Sequence, residues 1–205
     1  MDYNSLVSTV GQRLNRDASQ LPVADFIARA EDEIFAKLAS DPLRPMQKIS
    51  EQPITTSSFN APTGFIDVID LWASDGTETW QMVRLGLDDQ SDYYSTQALP
   101  FRTQYDATKL RHYWLIGSTF TLPDTPASAL DMTLRYYGKP GNLSSGNLTN
   151  WIIDSHGDVY EFGTLMHAAR HLRDDDLEDR MQDRFATALG LMMDAYPERQ
   201  NPTEL

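Results

Sequence analysis

His167 and His171 stand four residues apart, with Glu161 before them and Asp174-Asp175-Asp176 after. On a helix that spacing puts both imidazoles on one face, where they could share a metal ion. Zinc asks for a third ligand in fixed geometry, and the His-Glu-x-x-His hydrolases also place a carboxylate between the histidines. Here Ala168-Ala169-Arg170 fills that gap. The pair therefore reads as two partly exposed histidines on a bundle helix, with no metal and no cofactor expected. Paired carboxylates are the second chemistry on offer, because two suffice for glycoside hydrolysis. With 30 acidic residues in the chain, adjacent pairs arise by chance, and Asp88-Asp89 and Asp174 to Asp176 read as solvated loop charges. Trp72, Trp80, Trp114 and Trp151, with nine tyrosines, could line a groove. In a small sheet such side chains more often fill the core or pair across strands. There is no Gly-rich phosphate loop and no Gly-x-Ser-x-Gly elbow. Cysteine is absent, which excludes disulfides, thiolate zinc sites and cysteine nucleophiles. No catalytic residue is assigned.

The elements that would carry these residues follow from periodicity. Leu6, Val7, Val10 and Leu14 recur at helical spacing. After a polar turn, Pro22 is placed to open a second helix. Val23, Phe26, Ile27, Ala30, Ile34 and Leu38 form its apolar face, with Arg29, Glu31, Asp32, Glu33 and Lys37 largely opposite. Pro42 and Pro45 end it. From Met46 the pattern changes to short runs rich in Thr, Tyr, Trp and Phe, punctuated by Pro and Gly. Leu130 to Tyr137 alternates Leu130, Met132, Leu134 and Tyr136 with polar residues, the two-residue period of a half-buried strand. Phe65 to Trp72, Trp80 to Leu85, His112 to Ile116 and Thr119 to Leu122 read as strands too, with Gly117-Ser118 as a hairpin turn. Beyond the polar loop Lys139 to Thr149, Asp158 is expected to cap a helix bearing Val159, Phe162, Leu165, Met166, Ala169 and Leu172. The acidic triplet breaks it. A last helix then carries Leu177, Met181, Phe185, Ala188, Leu189 and Met192, and Pro197 stops it.

The expected fold class is α+β: a helical bundle made of the N- and C-terminal helix pairs, with a small antiparallel β-subdomain inserted. The expected divisions are an N-terminal helix pair over 1–45, the β-subdomain over 46–138, a C-terminal helix pair over 139–197, and an extended tail over 198–205.

Net charge is −13, with a pI near 4.5. Gripping DNA phosphates needs a basic face, so the average sign is wrong for DNA binding and suits a surface that nucleic acid slides past. It serves solubility equally well. No apolar run approaches the roughly 20 residues of a membrane span. Met1 to Ser5 has neither the basic start nor the apolar stretch of a signal peptide, so a soluble, cytoplasmically made protein is expected.

Leu6 to Leu14, followed by Phe26 to Ile34, resembles the opening of tailed-phage head-to-tail adaptor (connector) proteins of the short-tailed phage type. Further on come Phe120-Thr121-Leu122-Pro123, Leu134-Arg135-Tyr136-Tyr137, Leu143-Ser144, Thr149 to Ile153 and Val159 to Ala169. These follow the order of that family, which continues with an acidic break and a last helix. The resemblance implies a non-enzymatic virion protein at the head-tail junction, made in the bacterial host cytoplasm. It implies a homo-oligomeric ring of about twelve copies, bound beneath the portal protein and carrying tail (nozzle or tail-tube) proteins below. Double-stranded DNA would cross the lumen without specific binding, and no membrane is involved. The family's C-terminal segment reaches toward the portal, which makes Glu198, Arg199, Gln200, Asn201, Pro202, Thr203, Glu204 and Leu205 the candidate portal contact. Three other readings stand beside this one: a tail-completion or tail-tube protein, a virion-associated lytic hydrolase, and an α+β binding domain of unknown partner.

Overall fold

The computed structural model describes residues 1–86 and 110–196. They fall into two units, Met1–Met46 with the residues from Lys139 on, and Gln47–Gly138. In the first unit, helix α1 (Tyr3–Arg13) starts at a capping box: the Asp2 carboxylate accepts from the Ser5 N–H at 2.7 Å, and the Ser5 hydroxyl accepts from the Asp2 N–H at 2.7 Å. Helix α2 (Val23–Ser40) begins directly after Pro22, which occupies its cap position. The short helix α3 (Trp151–Ser155) is capped by the Asn150 side chain, which accepts from the Ile152 and Ile153 N–H groups at 3.1 Å.

Helix α4 (Gly157–Leu172) follows a cap at His156 that makes no side-chain hydrogen bond, so Asp158 lies in the first turn rather than capping it. At its other end Arg173 takes the left-handed conformation, and Asp174 caps helix α5 (Asp175–Ala195) by accepting from the Leu177 N–H at 3.1 Å. Asp175 and Asp176 then sit in the first turn of α5, where the helix dipole favours negative charge. Helix α4 is the centre of this unit, packing against α1, α2, α3 and α5. It is buried over most of its circumference, including Tyr160, Thr164 and His167 as well as its apolar residues.

Among the described residues, the second unit forms one seven-stranded sheet, β1 (Gln47–Ile54), β2 (Ser58–Asn60), β3 (Phe65–Ser74), β4 (Thr79–Arg84), β5 (His112–Ile116), β6 (Thr119–Thr121) and β7 (Leu130–Gly138), in the order β1-β7-β3-β4-β5-β6-β2. Strand β7 buries Leu130, Met132, Leu134 and Tyr136 on one face, as its alternation requires. They meet Ile54, Leu71, Ala73, Trp80, Met82, Tyr113, Phe120 and Leu122. Phe59 stacks on Phe120 at 4.9 Å between ring centroids. Gly117, at φ +60°, makes the two-residue turn between β5 and β6 that positive φ demands.

The expected fold class does not survive. Among the described residues 45% are helical and 27% lie in strands, with five α-helices and a seven-stranded sheet curling nearly into a barrel, so a helical bundle with a small β-insertion does not describe the fold. Nor is the sheet purely antiparallel, because β4 and β5 pair in parallel through Val83–His112 and Arg84–Tyr113. The strands missing from the expectation are β1 and β2. Seven of the eight residues of β1 are exposed or half-exposed and only Ile54 is buried, so the strand shows no apolar alternation. It also contains Pro53, which an edge strand tolerates.

Among the described residues, no helix is long and apolar enough to cross a membrane.

Candidate functional site

The most connected polar group in the helical unit is Glu31. It lies on the buried face of α2 beside Ile27, Ala30, Ile34 and Leu38, and is 1% exposed. Its Oε1 accepts from the Leu143 N–H at 2.7 Å and from the Tyr160 hydroxyl at 3.1 Å. Its Oε2 accepts from the Asn142 side-chain amide at 2.7 Å. The Asn150 amide donates in turn to the Tyr160 hydroxyl and to the Gly141 carbonyl, both at 2.8 Å. Burial pushes the Glu31 carboxyl above its ordinary range, outweighing these donors and the nearby Lys139. Burial likewise raises the Tyr160 hydroxyl. Both carboxylate oxygens already face protein donors, so Glu31 holds chain: it fastens the segment from Gly141 to Asn150 onto α2 and α4. Glu31, expected on the polar face of α2, lies on its buried face. The spacing Ile27, Glu31, Ile34, Leu38 would have put it on the buried one.

The two histidines separate in character. His167 is buried, with Nε2 at 3.2 Å from Glu33 Oε1, yet neither ring nitrogen is in hydrogen-bonding geometry. The distance alone would suggest an ion pair. Burial, however, pushes the imidazole below its ordinary range despite Glu33 and Glu178, and Arg170 and Arg29 add to the push, so the ring is neutral near pH 7. His167 was expected to be partly exposed; it is a core residue. His171 is exposed and lies 5.4 Å from the Phe26 ring. Among the described residues, no group of three or more His, Asp or Glu is arranged to hold a metal ion.

The tryptophans divide as well. Trp114 is fully buried, and Trp80 is buried with its indole N–H donating to the Leu110 carbonyl at 2.8 Å. Trp151 joins His156 and Tyr196 in a cluster of near-perpendicular rings, with Tyr196 at 5.7 Å from Trp151 and 5.6 Å from His156. Tyr196 is the C-cap of α5. The cluster therefore fixes the point from which the chain continues toward residue 198. Glu198 to Leu205 themselves, like Asp88-Asp89, lie outside the described residues.

On the outer side of α4 and α5, Asp158, Phe162, Asp183, Thr187, Ala188 and Leu191 enclose a notch of about 330 Å³. The Arg184 guanidinium stands 5.7 Å from the Phe162 ring centroid at its edge, and Leu191 is 63% exposed. An apolar floor with an acidic rim suits a protein contact better than a small polar substrate.

Compared with known families, the chain matches the model of the SU10 adaptor protein over residues 1–204. None of the curated proteins matches it.

Proposed function

The chain belongs to the SU10 adaptor protein family, a family of phage structural adaptors, and from that footing we propose that it is a ring-forming adaptor subunit between the portal and the tail. The observation that carries this reading is the span of the match, residues 1–204, which takes in both units. The subunit works by assembly. About twelve copies close head to tail beneath the portal, tail proteins attach below, and packaged DNA crosses the lumen on its way in and out. Net charge −13 supports the last point, because the chain offers duplex phosphates no overall attraction. Residues 198–205 serve as the portal strap: they follow directly on the pinned end of α5 and are polar apart from Pro202 and Leu205, with no means of forming a core. We assign the protein no catalytic role and place it at the head-tail junction of the virion.

Mass photometry and negative-stain imaging of the full chain, alone and with the portal of the same phage, test the reading. The expected result is a monomer alone and a closed ring on the portal, since closure in the absence of portal would disorder assembly. A chain that neither closes into rings nor binds portal overturns it.

A further inference from the structure

Four segments of the helical unit converge at one of its ends. The Trp151 ring lies 5.7 Å from Tyr196, and His156, the residue joining α3 to α4, lies 5.6 Å from Tyr196. The Met1 side chain lies against Gly157, the next residue along the chain. The Tyr3 N–H at the start of α1 donates to the Leu148 carbonyl at 2.9 Å. The beginning of α1, the loop from Gly141 to Asn150, the α3–α4 junction and the cap of α5 are thus neighbours. Nine residues, Pro197 to Leu205, follow Tyr196, and a chain of that length spans at most about 32 Å. A partner held by residues 198–205 therefore meets the surface around Tyr196 first.

That surface is neutral at its centre and held in shape from beneath. No charged residue lies between Lys139 and Asp154. Ser145, Gly146 and Thr149 are exposed, and Leu148 and Met1 are 38% and 44% exposed. The buried Glu31 carboxylate fastens Asn142 and Leu143, as described above. Ser144 and Asn147 exchange backbone hydrogen bonds at 2.9 and 3.1 Å, and the Asn147 side-chain amide donates to the Asn142 carbonyl at 2.7 Å. A loop pinned this way loses little freedom when a partner docks on it, and interface centres are depleted of charge. The margin is acidic. Asp154, Asp158 and Asp194 are exposed within two residues of His156 or Tyr196, and half-exposed Asp2 is held by Ser5.

We propose that this end of the subunit, centred on Leu148 and Ser145, is a second portal contact that works together with residues 198–205. The portal surface it fits is apolar opposite Leu148, with basic groups facing the acidic margin. Once residues 198–205 are bound, docking of the loop becomes an intramolecular step, so the two contacts reinforce each other. This inference rests on the portal reading given above and names the folded surface that shares the contact.

Binding of the full chain to purified portal of the same phage, measured by biolayer interferometry, tests it. Leu148→Lys and Ser145→Arg change exposed side chains and leave the backbone hydrogen bonds of the loop in place. Both variants should therefore keep the wild-type circular dichroism and melt within about 3 °C of it. Each should weaken portal binding about tenfold with residues 198–205 intact. Asp179→Lys, an exposed change about 25 Å along α5 from Tyr196, should bind within about twofold of wild type. Loop variants that fold and bind as wild type does overturn this surface and leave the role of residues 198–205 untouched. An Asp179→Lys loss as large as theirs overturns it too. A wild-type chain that does not bind portal overturns the portal reading and this surface with it.

Discussion

Gly163 on α4 passes so close to Phe185 on α5 that an added Cβ would stand 3.0 Å from the ring, and the same Cβ would be 3.0 Å from the Ala30 Cβ on α2. Neither neighbour is the free end of a flexible side chain. Three helices thus meet at a position with no room for a methyl group. Gly163→Ala gains up to about 1 kcal/mol of helix propensity but should lose about 1–3 kcal/mol to overpacking, so the variant melts lower. Gly190, also helical, has nothing within 4 Å of its would-be Cβ. Gly190→Ala should therefore stabilise by about 0.5–1 kcal/mol. Urea titrations of the two variants should move in opposite directions; a Gly163→Ala midpoint at or above wild type removes the steric account.

His167 makes the helical unit acid-sensitive. Its folded pKa lies below the ordinary 6.5, so the unfolded chain binds the proton more readily. Stability from this residue is present above about pH 6.5 and falls as the pH drops through and below that value. Denaturation midpoints measured between pH 7.5 and 5 should show this decline, and His167→Gln should flatten it. A slope unchanged by that substitution would place the titrating group elsewhere.

Glu31 pulls the other way. Its folded pKa is raised above the ordinary 4.5, so its contribution is greatest below that value and diminishes as the pH rises through the raised one. Its hydrogen bonds still matter at neutral pH, because removing the carboxylate strands the Leu143 N–H and the Tyr160 hydroxyl in a buried site. Glu31→Ala should cost about 2–4 kcal/mol at pH 7. Faster amide exchange at Leu143 should accompany that loss. Exchange at Leu143 that matches wild type would mean the segment is held by other contacts.

Removing residues 198–205 should leave a soluble chain with wild-type circular dichroism, since α5 ends at Ala195 and its cap Tyr196 is already held by Trp151 and His156. Binding to portal should drop by at least about a hundredfold, as expected when a segment that orders on contact is lost. Undiminished portal binding by the truncated chain would move the contact elsewhere on the subunit.

What sequence alone disclosed depended on how one-sided each element is. Strand β7, α2 and α5 each bury one face against one partner layer, and their periods of two or nearly four stand out. Helix α4 is buried nearly all round, so its expected stripe understated it, and Tyr160 and His167 went unrecognised as core residues. Strand β1 failed for the opposite reason, being an edge strand almost without buried residues. The parallel pairing of β4 with β5 is a non-local relation that no local pattern encodes. Glu31 could have been placed by phase, but the three donors around it come from Asn142, Leu143 and Tyr160, more than 100 residues away. The proposed portal contact and ring rest on family resemblance, because the polar run Glu198 to Leu205 has no periodicity to read.

The contacts of Glu31 with Tyr160 and of Ala30 with Gly163 also bear on the order of synthesis. Helices α1 and α2 leave the ribosome first, and the 92 residues from Gln47 to Gly138 must follow before α4 is made. At translation rates of about 5–20 residues per second, that is a wait of roughly 5–20 s. For that time the apolar face of α2 lacks α4, and the Glu31 carboxylate lacks its donors from Asn142, Leu143 and Tyr160. The nascent N-terminal helices are thus the stage at which this protein is most exposed to aggregation and to chaperone capture, and the helical unit can close only after the whole sheet has been translated.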